Sequence, residues 1–238
     1  MNIILKKSLF ITTLLLSSST VLAETKYPEN PVLRPLTLTD GTVALGGALM
    51  WGKENDDSRG AINLNAAYGL TDDLTLSLGG LDYRVLARKN NQKGLELAVG
   101  LGVRGYHDSR LNGDAIGYGA DLNGKYVFDK DLAMTFSLGY VKWDEEKLKN
   151  KDEFRYSIGL QTNLARDWTA SVGYTYRDLK DFTQNEAHEA NVGINYAYSK
   201  STDVGVFAGY SNFDALENGY QLEDSFDRVA GVYAAYRF

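Results

Sequence analysis

Apolar and polar residues alternate along most of this chain, in segments of about ten residues. In the segment 95–104, leucine and valine occupy the odd positions, while Glu96, Arg104 and small residues occupy the even ones. The segments 132–140 and 154–161 repeat the pattern. Successive side chains of a β-strand point to opposite faces, so this period predicts strands with one apolar and one polar face. Their length is what a tilted strand needs to cross a hydrocarbon layer.

The strand count follows from the alternation and from parity. Eleven segments are evident, whereas single-chain bacterial barrels have an even number of strands. We therefore expect the stretch 74–88 to fold once near Gly79 and Gly80, where two glycines permit positive φ. This predicts an all-β, antiparallel transmembrane barrel of twelve strands, with ten as the alternative and both termini periplasmic. The predicted strands are 42–52, 60–70, 73–79, 81–88, 94–106, 115–128, 132–143, 153–164, 168–178, 187–198, 203–213 and 227–238.

The connections between these strands alternate in length, which orients the barrel. Short turns, for example 129–131 and 165–167, separate longer polar stretches such as 144–152 and 212–226. Outer-membrane barrels have short periplasmic turns and longer outside loops. Tyrosine and tryptophan prefer the lipid–water interfaces, and they cluster near the predicted strand ends, as with Trp168 and Tyr176 of one strand.

The first residues have the features of a secretory signal peptide. Lys6 and Lys7 precede a mostly apolar run from 9 to 16, and Ala23 ends a small-residue cleavage signature. The predicted domains are a signal peptide, 1–23, a periplasmic N-terminal lead-in, 24–41, which contains all three prolines, and the outer-membrane barrel, 42–238. The apolar run is too short to favour a permanent transmembrane helix.

Composition and charge narrow the classes of function. The chain has no cysteine and a formal net charge of −6, which becomes −8 once the two lysines of the signal peptide are removed. Nucleic acid is therefore not an expected partner. The 24 glycines and 16 tyrosines are an unusual mixture for a soluble enzyme. They fit a barrel that carries its apolar residues in alternation rather than in runs.

The last strand carries the most specific signature. Apolar residues alternate from Ala230 to Phe238, and Tyr236 and Phe238 are the last two of them. Together with the leader and the strand pattern, this end resembles bacterial outer-membrane β-barrel proteins of the porin-like superfamily, whose assembly machinery recognises a terminal phenylalanine. The resemblance implies an outer-membrane location in a Gram-negative cell, contact with lipid and lipopolysaccharide, and an assembly role for Tyr236 and Phe238. It does not identify a subfamily.

The polar face of the strands is assigned to the lumen, and it carries charges of both signs. One interpretation is a water-filled pore whose lining selects solutes. The alternative is that the charges pair and fill the interior, because unpaired charges away from water are costly. Glycines on the lumen face either leave open volume in the lumen or relieve the curvature of the strands. The pore-lining candidates are Arg84, Glu96, Arg104, Asp121, Lys125, Arg155, Arg177 and Glu189.

The candidates for catalysis and nucleotide binding have plain structural explanations. His107 and Ser109 share one strand face and are the cluster an enzyme would need, but they lack a local triad, so no catalytic residue is assigned. The motif formed by Gly100, Gly102 and Gly105 lacks the following helix that nucleotide binding needs. His188 falls on the lipid face near the outer edge, where an interfacial position explains it. No cofactor or metal site is expected.

Two functions remain from the sequence. The first is an outer-membrane porin-like channel for passive diffusion of small hydrophilic solutes, with no enzyme activity. The second is a closed barrel that acts through its acidic outer loops in binding, adhesion or envelope structure. Acidic clusters at 56–57, 144–146 and 217–224 would then hold divalent cations or a cationic ligand, although they lack calcium-loop spacing.

Overall fold

A computed structural model describes residues 30–54, 57–89, 92–108, 113–214 and 226–238. Within these ranges twelve antiparallel strands form a closed barrel, in which each strand pairs with its sequence neighbours and β12 pairs with β1. The strands are β1 (Val43–Glu54), β2 (Asp57–Thr71), β3 (Leu74–Ser77), β4 (Gly80–Leu86), β5 (Gly94–Asp108), β6 (Gly113–Val127), β7 (Leu132–Glu145), β8 (Lys151–Ala165), β9 (Trp168–Lys180), β10 (Glu186–Ala197), β11 (Thr202–Ser211) and β12 (Arg228–Arg237).

The predicted twelve-stranded barrel is confirmed, including the hairpin inferred from parity. That hairpin turns at Leu78 and Gly79, between β3 and β4. The positive φ expected at the two glycines is wrong, since neither Gly79 nor Gly80 has one. A side chain on Gly80 would instead collide with the carbonyl oxygen of Leu101 on β5. Gly80 therefore permits a close approach of two strands rather than an unusual backbone conformation.

The outer face of the barrel is apolar and ends in two aromatic girdles. Leucine, isoleucine and valine side chains from alternate positions are exposed around the wall. Exposed aromatic residues lie near the two ends of the strands, for example Trp168 at the end with short turns and Tyr210 at the other. We call the girdle at the end away from the short turns the outer girdle. His188 belongs to it, and its Nδ1 lies 2.7 Å from the hydroxyl of Tyr174. This face is suited to hydrocarbon between two polar interfaces.

Residues 30–42, which precede β1, lie inside the barrel. They were expected to belong to a periplasmic lead-in spanning 24–41. Its described part, residues 30–42, instead enters the lumen at the end that carries the short turns, with Val32 fully buried against Val127 and Ala133. The sequence of 24–41 has no period that could have revealed this, because the described segment is held by side chains of the wall rather than by strand pairing. We call residues 30–42 the inner segment.

Among the described residues, the wall is incomplete on one side of the half that lies away from the short turns, which we call the outer half. Hairpin β3–β4 stops at Leu78 and Gly79, while β2 and β5 continue outward on either side. Its last bonds to these neighbours are from Leu78 N to Ala66 O, 3.1 Å, and from Val103 N to Gly79 O, 2.9 Å. Beyond them no backbone pairing joins β2 to β5 in the described part of the chain. We call this gap, bounded by residues 60–65, 78–79 and 103–105, the notch.

The lumen glycines mostly make room for neighbouring side chains. A Cβ on Gly117 would lie 2.9 Å from the ring of Trp143, and one on Gly100 would lie 2.6 Å from the carboxylate of Asp121. Part of the volume that glycine leaves is therefore filled rather than open, a third outcome that neither sequence interpretation included. In the described residues no helix is long and apolar enough to cross a membrane.

Candidate functional site in the barrel lumen

Two of the candidate lumen charges hold the inner segment in place. Glu96, which is 1% exposed, accepts a hydrogen bond from the Leu36 backbone N–H at 2.8 Å and one from Arg88 at 2.9 Å. Lys125 donates from Nζ to the carbonyl oxygens of Pro31 and Arg34, both at 3.0 Å. Glu96 and Lys125 therefore bind the chain's own backbone instead of facing an open path. Charged groups make such hydrogen bonds strong.

A third anchor joins the inner segment to the last strands. Arg34 donates two hydrogen bonds to the carboxylate of Asp203 on β11, at 2.5 and 2.9 Å. Arg237 on β12 donates to the same carboxylate at 2.6 Å. Asp203 is buried, so its negative charge is compensated by two guanidinium groups. The inner segment is thus tied to opposite parts of the wall.

A second charged cluster lies nearer the outer end. Glu153 is fully buried and accepts hydrogen bonds from Arg155 Nε at 2.5 Å and Arg177 Nε at 2.6 Å. Arg177 also donates to Glu189 at 3.0 Å, and its guanidinium stacks on the ring of Phe213 at 3.9 Å. The cluster narrows the lumen from one side and is internally neutralised. Three of the eight candidates, Arg155, Arg177 and Glu189, belong to it.

The three remaining candidates differ in their partners and in their exposure. Arg84 spans Asp73 and Glu96, with distances of 2.8 and 3.4 Å. Asp121 accepts a hydrogen bond from Asn123 and faces the lumen. Arg104 is exposed on the lumen side of β5 and has no hydrogen-bond or ion-pair partner among the described residues. It is the candidate whose charge is most available to a solute.

Three cavities lie in series along the lumen. The outer cavity, about 560 Å³, is lined by Arg104, Arg155 and Arg177 together with Asn191 and Tyr210. A middle cavity of about 470 Å³ shares Asn191 with it and is lined mainly by serine, threonine, asparagine and glycine. The third, about 410 Å³, lies beside the inner segment and shares Thr135, Gln161 and Ser171 with the middle one. The series forms a constricted interior in which charged and aromatic side chains line the outer cavity and mainly polar groups line the other two.

The sequence missed some residues that shape this interior. Arg34 was placed in the lead-in, although its pair with Asp203 fixes the inner segment. The small polar residues of the middle cavity, such as Ser157 and Thr175, which share a hydrogen bond of 2.9 Å, were not singled out because they carry no charge. Their regular position on the polar face of the strands was the signal that could have identified them.

The enzyme and metal candidates gain no support from the described residues. The backbone of His107 lies in β5, but its side chain and all of Ser109 fall outside the described part. Glycines 100, 102 and 105 lie within β5 itself, with no helix after them. Among the described residues no group of three His, Asp or Glu side chains could hold a metal. The acidic cluster 217–224 also lies outside the described residues.

Comparison with known proteins gives a consistent result for the fold. A family model described as "Outer membrane protein beta-barrel domain" matches residues 38–199. The outer-membrane expressed OmpT of Vibrio cholerae is similar in structure, with a TM-score of 0.50 and 12% identity over 83% of this chain and 97% of that chain. No curated protein matches in sequence.

Two proteins described as porins are similar to the same degree. The KdgM porin has a TM-score of 0.50 and 13% identity, over 83% of this chain and 99% of that chain. The NanC porin has a TM-score of 0.50 and 11% identity, over 82% of this chain and 98% of that chain. At these identities the likeness concerns the fold.

Proposed function

Because the chain belongs to the outer-membrane β-barrel domain family, we propose that it is a porin-like channel for passive diffusion of small hydrophilic solutes across the outer membrane. The observation that carries the proposal is the series of three cavities along the lumen, of which the middle and the third are lined mainly by polar groups. A barrel of twelve strands encloses more space than one of eight, whose interior side chains fill it. The similarity in fold to proteins described as porins supports the same role.

The charges along this route suggest a modest preference for anions. Three arginines line the outer cavity, but Glu153 and Glu189 neutralise Arg155 and Arg177. The bias therefore comes from Arg104, which is exposed and has no ion-pair partner among the described residues. Further in, Asp82 and Asp121 lie on neighbouring parts of the lumen wall and oppose the bias. Fields of opposite sign along one pore partly cancel, so the selectivity is weak rather than strict.

Arg104→Glu is expected to shift ion selectivity toward cations, because it reverses an exposed charge that forms no ion pair within the described part of the chain. The measurement is the reversal potential of single channels in planar bilayers under a salt gradient. Lys130→Glu is the matched control, since Lys130 is an exposed residue of a short turn and its change alters net charge equally. An unchanged reversal potential in Arg104→Glu, or an equal shift in both variants, would contradict the assignment of Arg104 to the ion path.

The alternative function is a closed barrel that acts through its outer loops. It is favoured by one observation: the inner segment and the cluster around Glu153 occupy much of the lumen. Loop carboxylates would then bind cationic groups or divalent ions shared with lipopolysaccharide. Repeated insertions without discrete conductance steps would support this alternative over the channel.

We propose that residues 1–23 direct export and that strand β12 and Phe238 direct assembly. The proposed leader, 1–23, directs secretion, and the proposed assembly signal is the terminal strand with Tyr236 and Phe238. Phe238 exchanges two backbone hydrogen bonds with Val43, at 2.8 and 3.0 Å, and so completes the seam between β12 and β1. No catalytic activity is proposed, since passive diffusion requires only a pore through the lumen.

Removal of Phe238 is expected to reduce the amount of assembled barrel in cells, because it removes both the recognised residue and the last bonds of the seam. The measurement is the fraction of heat-modifiable protein in outer-membrane extracts. Phe238→Tyr, which keeps the backbone bonds and the aromatic ring, is the control. Full assembly of the shortened chain would contradict the proposed role of Phe238 in assembly.

A further inference from the structure

The notch lies within the apolar belt of the barrel. On β1, the exposed Trp51 of the outer girdle pairs with Gly60 of β2, so Ile62 and Leu64 lie on the membrane side of that girdle. On the opposite rim, the exposed Tyr118 pairs with Val103. The notch therefore opens from the lumen into the outer half of the hydrocarbon layer.

The rim of the notch is unusually exposed and apolar on its outer side. Leu64 is 74% exposed, Ile62 69% and Leu78 62%, whereas Leu45 and Leu49 on the neighbouring strand β1 are 40% and 44% exposed. The difference arises because one flank of the rim residues has no adjacent strand. An alkyl chain in this position would contact side chains from two sides of the gap, rather than a single flat surface.

The strand edges of the notch also carry polar backbone groups. Leu78 N–H bonds to Ala66 O, and since alternate residues of a strand point to the same edge, the N–H and C=O groups of Leu64 and Ile62 face the gap. An unsatisfied backbone group in hydrocarbon costs several kcal/mol, so open sheet edges are not left in contact with lipid tails alone. A ligand of the notch must therefore allow water or polar atoms to reach these groups.

The lumen side of the notch supplies a cation. Asn63 and Asn65 on β2 face inward and are exposed, as is Arg104 on β5. Arg104 has no partner among the described residues, and it also lines the outer cavity of about 560 Å³, a volume in the range of small-ligand sites. The gap thus joins an apolar rim in the membrane to a lumen arginine that has no ion-pair partner among the described residues.

We propose that the notch binds a single-chain amphiphile with a carboxylate head group, of the long-chain fatty acid class, and gives it a lateral route between the outer leaflet and the outer cavity. The carboxylate pairs with Arg104, the alkyl chain lies against Leu64, Ile62 and Leu78, and water from the lumen solvates the strand edges. The outer cavity of about 560 Å³ receives the head group beside Arg104. This route is separate from diffusion of hydrophilic solutes along the barrel axis.

The test uses a fluorophore attached to a single cysteine, which is specific because the chain has no cysteine of its own. Asn65→Cys places the label on the lumen side of the rim, and Ser157→Cys places it on the lumen face of β8 as the matched control. The full mature protein is reconstituted in phosphatidylcholine vesicles that contain 5-doxyl-stearic acid or its methyl ester. Quenching of the label reports contact with the nitroxide.

The free acid is expected to quench the label at residue 65 at roughly tenfold lower concentration than the ester, because only the acid forms the charge-assisted bond to Arg104. Arg104→Gln removes this difference, and Arg155→Gln, in which the changed arginine lies in the same cavity but away from the notch, keeps it. The label at residue 157 is quenched less than that at residue 65.

Two results would overturn the proposal. Equal quenching by acid and ester at residue 65 would show that nearby membrane, not a bound carboxylate, reaches the label. An acid preference that persists in Arg104→Gln would place the head group elsewhere. Channel recordings do not enter this experiment, so its outcome is independent of the proposed conduction.

Discussion

Deletion of residues 24–40 is expected to raise single-channel conductance several-fold, because it removes the segment that fills the inner end of the lumen. The described part of this segment is held by Glu96, Lys125 and Asp203, and these groups would face water after the deletion. The resistance of a narrow pore is set mainly by its constriction, which in this barrel includes the inner segment. The measurement is conductance per insertion in planar bilayers at fixed salt.

A point variant tests the same idea without shortening the chain. Arg34→Ala removes both hydrogen bonds to Asp203 and is expected to produce frequent transitions to the high-conductance level of the deletion. Asp40→Asn is the control, since Asp40 is exposed and its bond to the Asp72 side chain comes from its backbone N–H. If the deletion leaves conductance unchanged, the inner segment does not limit the path.

Glu153→Gln is expected to lower the free energy of unfolding by about 3 kcal/mol, because removing one partner of a buried ion pair leaves uncompensated charge. Glu153 is fully buried, and it neutralises Arg155 and Arg177 while accepting a hydrogen bond from Trp143 Nε1 at 3.3 Å. Glutamine keeps the shape of the side chain but cannot balance two guanidinium groups. The measurement is urea-induced unfolding in lipid vesicles, followed by the gel shift of heat-modifiable protein.

Glu189→Gln provides the matched comparison. Glu189 bonds to the same Arg177, but its side chain is 35% exposed, so water can replace much of what is lost. The free energy of unfolding is expected to fall by less than about 1 kcal/mol, as for exposed ion pairs. Equal destabilisation by both variants would show that burial of Glu153 does not decide its contribution.

The strand pattern was predictable because a membrane barrel imposes one strict rule on every strand. Residues such as Leu95 and Glu96 must point to lipid and lumen respectively, so the period of two survives even where glycine interrupts it. The hairpin β3–β4 was found from parity alone, since its strands are too short for a period to be recognised. The predicted boundaries differ from the observed ones by only a few residues.

The interior was less predictable, because pairing inside a barrel depends on contacts between distant strands. Position on the lumen face was sufficient to select Glu96 and Lys125 as candidates. It could not show that both would bind the backbone of the inner segment, which has no periodic signal. Arg104 and Arg155 were selected alike from their position on the lumen face, and the ion pair between Arg155 and Glu153 distinguishes a paired charge from an available one.

The inner segment also constrains the order in which this barrel can be made. It directly precedes β1, whose other edge is closed by β12, and Phe238 at the end of the chain completes that seam. The segment leaves the ribosome before any strand, yet its binding partners include Asp203 and Arg237, near the end of the sequence. The inner segment therefore reaches its final place only after residues as late as Arg237 have been synthesised, and the barrel closes around a segment that it already carries.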